Sequence, residues 1–123
     1  MQIYESSENY LEAVLMLEEK NGHVRSIDIA NELNFSKPSV SIAMKKLREN
    51  GYIEMDGNSL ISLTADGRAI AERIYERHRT LTNLLLALGV SPENARADAC
   101  RIEHDLSDES WEKIKAHALE HGI

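Results

Sequence analysis

Between Tyr52 and Leu63 the apolar pattern changes period, and this change constrains the fold more than any other feature of the chain. Tyr52-Ile53-Glu54-Met55 and Leu60-Ile61-Ser62-Leu63 read as two short strands around Asp56-Gly57-Asn58-Ser59, a β-hairpin signature. The segments before it keep a helical spacing. Tyr10, Leu11, Val14, Leu15 and Leu17 form a broad apolar face, from a cap at Ser6 or Ser7 to about Lys20, and Asn21-Gly22 ends it. Ser26 caps a short second helix, Ile27 to Leu33, and Asn34-Phe35-Ser36 is a turn. Pro38 sits near the first position of a third helix, where its missing N–H costs little. Asn50-Gly51 closes that helix. Helix, short helix, turn, helix, hairpin is the order of a winged helix-turn-helix, whose second paired helix lies in the major groove of DNA.

After the hairpin, Thr64 caps a long helix that runs to about Leu88 despite Gly67, and Gly89 stops it. Ser91-Pro92-Glu93 starts the next helix, with Ser as cap and Pro as first residue. Ser107-Asp108-Glu109 starts a last one, which ends near Gly122. The expected fold is mainly α with a small β-hairpin. A winged helix-turn-helix at 1–63 precedes a helical domain at 64–123, with the helix at about 64–88 as linker. A chain of 123 residues holds one moderate core or two small layers sharing a long helix. Aromatic residues make up only 5%, so the core rests on Leu, Ile, Val, Met and Ala, which favours helices. No apolar run reaches membrane-spanning length, and Met1 to Glu5 holds no targeting signal. The single cysteine, Cys100, excludes an internal disulfide framework. A cytoplasmic protein with a reduced thiol and no membrane contact is expected.

The net charge of −7 argues against nonspecific coating of nucleic acid, but charge is unevenly placed. From Lys37 to Arg48 there are four cations and no acid, while acids gather from Glu5 to Glu19 and from Asp98 to Glu112. A local basic element on an acidic body can still bind DNA, because phosphate contacts depend on the local surface. Ser36, Lys37, Pro38, Ser39 and Ser41 form the first turn of the third helix, where small donors join helix N–H groups that favour anions. Lys45, Lys46 and Arg48 at its far end can contact or steer toward the backbone. Gly57 to Ser59 would be the wing tip, which has no cation. Taken alone, such cations are as readily a solvated helix face; the architectural order favours DNA.

Cys100-Arg101-Ile102-Glu103-His104 gathers a thiol, a carboxylate and an imidazole in five residues. On a helix, Cys100 faces Glu103 at i+3 and His104 at i+4, so one face presents S, O and N donors. That set suits a mid-to-late first-row divalent metal better than magnesium or calcium. Each residue also has a plainer reading. A helical Cys is usually a small core hydrophobe, a lone Glu is solvated, and a lone His is a surface or capping residue. Three donors on one helix need further ligands. Asn9 and Glu12, which share a face at i,i+3, and His78 are candidates. His23, His117 and His121 are less suited, the first in a turn and the others on the terminal helix.

Several segments resemble the diphtheria-toxin-repressor family, which includes the manganese transport regulators. They are Ser7-Glu8-Asn9-Tyr10-Leu11-Glu12 through Leu17, Ser36-Lys37-Pro38-Ser39-Val40-Ser41 with Lys46-Leu47 and Gly51-Tyr52-Ile53, and Leu63-Thr64-Ala65-Asp66-Gly67-Arg68 with Arg77-His78-Arg79. The most specific is Ala99-Cys100-Arg101-Ile102-Glu103-His104 followed by Leu106-Ser107-Asp108-Glu109. The likeness covers roughly residues 6 to 120. It implies a C-terminal helical metal-binding and dimerisation domain, and a homodimer whose affinity for an operator in double-stranded DNA rises with Mn(II) or Fe(II). It also implies ligands at Asn9, Glu12, His78, Cys100, Glu103 and His104, joining the two domains and so fixing the recognition helix. Repression of metal-homeostasis genes follows from the family alone.

The departures from the family pattern are informative. Asn9 stands where manganese regulators have Asp, and Cys100 where they have Glu. Iron regulators share the Cys but usually have Met at the position of Asn9 and Arg at that of Glu12. Thr82 and Arg96 occupy two ligand positions of the iron branch's ancillary site. The expected architecture is the short manganese type, without that branch's SH3-like third domain. Replacing a carboxylate by a thiolate makes Fe(II) the first choice and Mn(II) the second. A second class is a DNA-binding regulator without a metal response, with Cys100 a redox switch or an inert thiol. An enzyme is not expected, since no nucleophile-base pair or phosphate-binding loop is present.

Overall fold

The computed structural model describes residues 5–123. The reading of Met1 to Tyr4 as free of a targeting signal lies outside the described residues. Element order is α1 (Glu5–Asn21), α2 (Ser26–Leu33), α3 (Lys37–Glu49), β1 (Ile53–Met55), β2 (Ile61–Leu63), α4 (Ala65–Ala87), α5 (Pro92–Ile102) and α6 (Asp108–Glu120). The chain divides into two compact units, one up to Glu72 and one from Arg73 to Ile123, so the division falls inside α4. No described helix is long and apolar enough to cross a membrane.

The first unit packs α1 against α2, α3 and β2, with α3 also against β1. Leu11 and Val14 of α1, Val24, Ile29 of α2, Val40, Met44 and Leu47 of α3, and Ile53 and Ile61 of the strands form its buried core. Val40, Met44 and Leu47 recur at i, i+4 and i+7, so α3 turns one stripe inward and leaves its polar face outside. The strands are antiparallel, Ile53 opposite Leu63 and Met55 opposite Ile61. Both are shorter than the sequence suggests. Leu60 N–H donates to Asp56 Oδ1 at 3.0 Å and its carbonyl accepts from Asp56 N–H at 3.1 Å, so Leu60 belongs to the turn.

Capping explains most boundaries and corrects two. Ser36, Ser91 and Ser107 are N-caps, each accepting from the backbone N–H three residues on. Ser6 and Ser7 lie inside α1, not at its cap; Glu5 and Glu8 supply first-turn charge favourable to the helix dipole. Ser26 is the first residue of α2 and Arg25 the cap, because Asp28 Oδ2 accepts from Arg25 N–H at 2.9 Å. Thr64 Oγ1 accepts from Gly67 N–H at 3.2 Å at the start of α4. A Cβ at Gly67 would overlap the Tyr52 carbonyl, so α4 can leave the hairpin this closely only with glycine there.

In the second unit, Ile74 and Leu81 of α4, Ala95 and Ala99 of α5, and Trp111 and Ala118 of α6 are buried. Leu86, Leu88, Ile102 and Leu119 remain exposed.

Candidate metal centre and nucleic-acid interface

The second unit builds a carboxylate-imidazole cluster around the end of α5. That helix stops at Ile102, so Glu103 is its C-cap, at φ −60° and ψ −26°, and His104 lies in the turn beyond. Burial, however, separates Cys100 from Glu103 and His104. Cys100 is exposed, whereas Glu103 is fully buried and the His104 side chain is 2% exposed. The plain expectation for a lone Glu, a solvated side chain, fails here.

His78, on α4, places Nδ1 2.9 Å from Glu103 Oε2. His104 Nε2 lies 3.3 Å from Glu103 Oε1, which accepts no aligned hydrogen bond from any described residue. Burial pushes the Glu103 carboxyl up, but His104 and His78 together pull it down by more, leaving it below the usual carboxylate range. A buried carboxylate stays charged at neutral pH only when such partners compensate its lost hydration.

Arg77, next to His78, holds the same turn from its backbone. It is 5% exposed, donates to the carbonyls of Glu103 at 3.3 Å and Leu106 at 3.1 Å, and pairs with Asp108 Oδ1 at 2.9 Å. Its guanidinium lies 5.6 Å from the Trp111 ring centroid. Two consecutive residues of α4 thus grasp one turn, His78 through the carboxylate and Arg77 through the main chain. Sequence reasoning missed Arg77, because nothing local in Glu76-Arg77-His78-Arg79 marks one cation as buried.

Two imidazoles on one carboxylate, with a buried oxygen short of a hydrogen bond, fit a divalent transition ion by donor chemistry. In the first unit Glu12 is buried at mid-α1 and Asn9, one turn earlier, is half-buried. His23 is exposed in a turn, and His117 and His121 stack on each other at the end of α6, 4.1 Å apart.

The candidate nucleic-acid face lies on α3. Ser36, Lys37, Pro38, Ser39, Ser41, Lys45 and Lys46 are all exposed. Ser36 Oγ accepts from Ser39 N–H at 3.3 Å and contacts Ser39 Oγ at 2.8 Å, so these two hydroxyls also shape the cap. Ile42, 61% exposed, stands among the lysines of the outward face.

Two family descriptions match the chain. "Iron dependent repressor, N-terminal DNA binding domain" covers residues 2–59, and "Iron dependent repressor, metal binding and dimerisation domain" covers residues 64–122. The transcriptional regulator MntR of Escherichia coli O6:H1 is 38% identical over 94% of this chain and 74% of its own length. The IdeR structure from T. acidophilum aligns with a TM-score of 0.80 and 25% identity over 100% of this chain. A manganese-dependent transcriptional repressor in complex with manganese aligns at 0.82 and 26% identity over 90% of it. The chain spans 56% and 51% of those two solved chains, about half their length. It belongs to the diphtheria-toxin-repressor family of metal-dependent, DNA-binding transcriptional repressors, the family of the manganese transport regulators.

Proposed function

We propose that the protein is a metal-activated repressor that binds operator DNA as a cytoplasmic homodimer and controls metal-homeostasis genes. The observation that carries this reading is Glu103, buried between His78 and His104, in the same chain as a helix-turn-helix with a basic outward face. The full ligand set is proposed from the family positions as Asn9, Glu12, His78, Cys100, Glu103 and His104. The burial of Glu12 supports its inclusion, since buried carboxylates are retained where a cation compensates them. The functional boundary is proposed at 63/64, where helical spacing resumes. Exposed Leu86, Leu88, Ile102 and Leu119 support a homodimer through the second unit.

The sequence preference for Fe(II) rests on one thiolate. The likeness to manganese regulators and the imidazole-carboxylate cluster weigh instead toward Mn(II), with Fe(II) second.

When bound, the ion supplies positive charge and a fixed coordination geometry that ties its ligands together. His78 and His104 offer ring nitrogens, Glu103 offers its charged carboxylate, and Arg77 keeps the Glu103 backbone in place. With Asn9 and Glu12 drawn from the DNA-binding unit, metal affinity and DNA affinity become linked, each raising the other by the same factor.

The test is DNA binding by anaerobic, metal-free protein titrated with Mn(II) and Fe(II), beside Cys100→Ala. Metal-stimulated binding is the expected result, and its absence with both ions would sink the proposal. A thiol-based regulator is the second reading, favoured by the exposure of Cys100. It predicts DNA binding that responds to oxidant and loses that response in Cys100→Ala.

A further inference from the structure

Helix α6 ends by presenting two imidazoles together, apart from the ligand set proposed above. His117-Ala118-Leu119-Glu120-His121 places histidines four residues apart, with a carboxylate at the third position. Residues at i, i+3 and i+4 share one side of a helix. His117, Glu120 and His121 are exposed, while the intervening Ala118 is buried and anchors the helix. The two imidazole rings are stacked, with centroids 4.1 Å apart and planes inclined at 29°.

The scaffold under these rings is well defined. His121 is the C-cap of α6. Beyond it Gly122, at φ 68°, donates its N–H to the Leu119 carbonyl at 3.3 Å, and Ile123 N–H donates to the Ala118 carbonyl at 2.8 Å. This pair of bonds is the glycine closure that seals a helix C-terminus, and it holds the last turn in place. His121 Nδ1 lies 2.9 Å from the His117 carbonyl. A carbonyl only accepts, so Nδ1 carries the proton, and the neutral ring keeps its lone pair on Nε2. Metal-binding histidines are held in the same way, one ring nitrogen donating to a fixed acceptor while the other faces the ion. The last carbonyls of the helix add a negative end that attracts a cation.

We propose that His117 and His121 chelate a late first-row divalent ion, Zn(II) or Cu(II), with Glu120 as a third donor and water completing the shell. Two Zn–N bonds of about 2.0–2.1 Å at a tetrahedral angle set the ligand nitrogens about 3.4 Å apart. Rings whose centroids are already 4.1 Å apart need only a small turn of the exposed His117 ring to meet that spacing. Imidazole pairs hold Zn(II) and Cu(II) much more tightly than Mn(II). The site therefore takes ions other than the Mn(II) favoured at the candidate centre, and it does not depend on that centre being filled. The plainer account of the pair is two exposed rings that stack and bind nothing.

The experiment counts Zn(II) bound per chain by calorimetry on the whole chain stripped of metal. Wild type is compared with His117→Gln, His121→Gln, Glu120→Gln and, as a control, His23→Gln, which alters an exposed histidine in a turn. Wild type and His23→Gln are expected to bind one more equivalent of Zn(II) than either α6 histidine variant, and Glu120→Gln should hold that equivalent more weakly. Titrated with Mn(II), all five proteins should behave alike. Long-range proton-nitrogen spectra of the rings should show His121 protonated on Nδ1 before metal is added, and Zn(II) should shift its Nε2 together with one nitrogen of His117. Equal Zn(II) stoichiometry and affinity in wild type and both α6 histidine variants would overturn the proposal. So would Zn(II) shifts at His23 as large as those at His117 and His121, which would mark indiscriminate binding to exposed imidazoles. Unaltered affinity in Glu120→Gln would strike Glu120 from the donors.

Discussion

Glu103 is the residue on which the proposed metal centre turns. Gln has the same shape but no charge, so Glu103→Gln separates packing from ligation. It removes the anion that His78 and His104 face at 2.9 and 3.3 Å. The expected outcome is a native far-ultraviolet dichroism spectrum and a loss of Mn(II) affinity greater than the ~10–100-fold seen for outer-shell changes, read by calorimetry. Arg77 acts on the same turn by a different route. Truncating it to Ala orphans the Glu103 and Leu106 carbonyls that it bonds. Buried acceptors left without donors cost about 1–3 kcal/mol each. Arg77→Ala should therefore lower denaturant stability by about 2–4 kcal/mol and weaken Mn(II) binding as well. Loss of stability with unaltered metal affinity would limit Arg77 to a structural role.

At the scale of elements, Gly67 ties α4 to the hairpin. Alanine would gain about 1 kcal/mol of helix propensity there, yet its Cβ would overlap the Tyr52 carbonyl, a backbone atom that cannot rotate aside. Overpacking of this kind costs about 1–3 kcal/mol or more. Gly67→Ala should lower the urea midpoint, whereas Gly57→Ala, with open space around its Cβ, should leave it nearly unchanged. In the local sequence Gly67 reads as a weakness in a long helix, because its purpose depends on a partner fifteen residues earlier in the chain, Tyr52. Signals that act within four residues were legible: Ser91 with Pro92, Ser107, Asn50-Gly51 and the turn at Asp56. The same holds for the inward stripe of Val40, Met44 and Leu47. Cys100, Glu103 and His104 were legible as donors, but their directions were not. Glu103 keeps a helical backbone at the end of α5 yet is fully buried while Cys100 is exposed, and spacing alone does not foretell which side of a helix is covered. Arg77 owes its role to a long-range pairing, with Glu103, that a local pattern does not contain.

For the whole molecule, metal binding and folding stability are one equilibrium. An ion that binds only the folded state stabilises it by about 2.7 kcal/mol when free metal is 100 times its dissociation constant. How that gain is distributed depends on which residues ligate. If His78, Glu103 and His104 act alone, the second unit is stabilised and the first is indifferent to the ion. If Asn9 and Glu12 also ligate, as proposed, the first unit shares the gain. Amide hydrogen exchange separates the two cases, since protection tracks the free energy of local opening. Added Mn(II) should slow exchange at the end of α5 and in the C-terminal part of α4 in either case. It should also slow exchange in α1 around Glu12, and Glu12→Gln should abolish the α1 effect while leaving a weaker one at α5. Protection confined to the second unit would remove Glu12 from the ligand set, and with it the linkage through which metal raises DNA affinity.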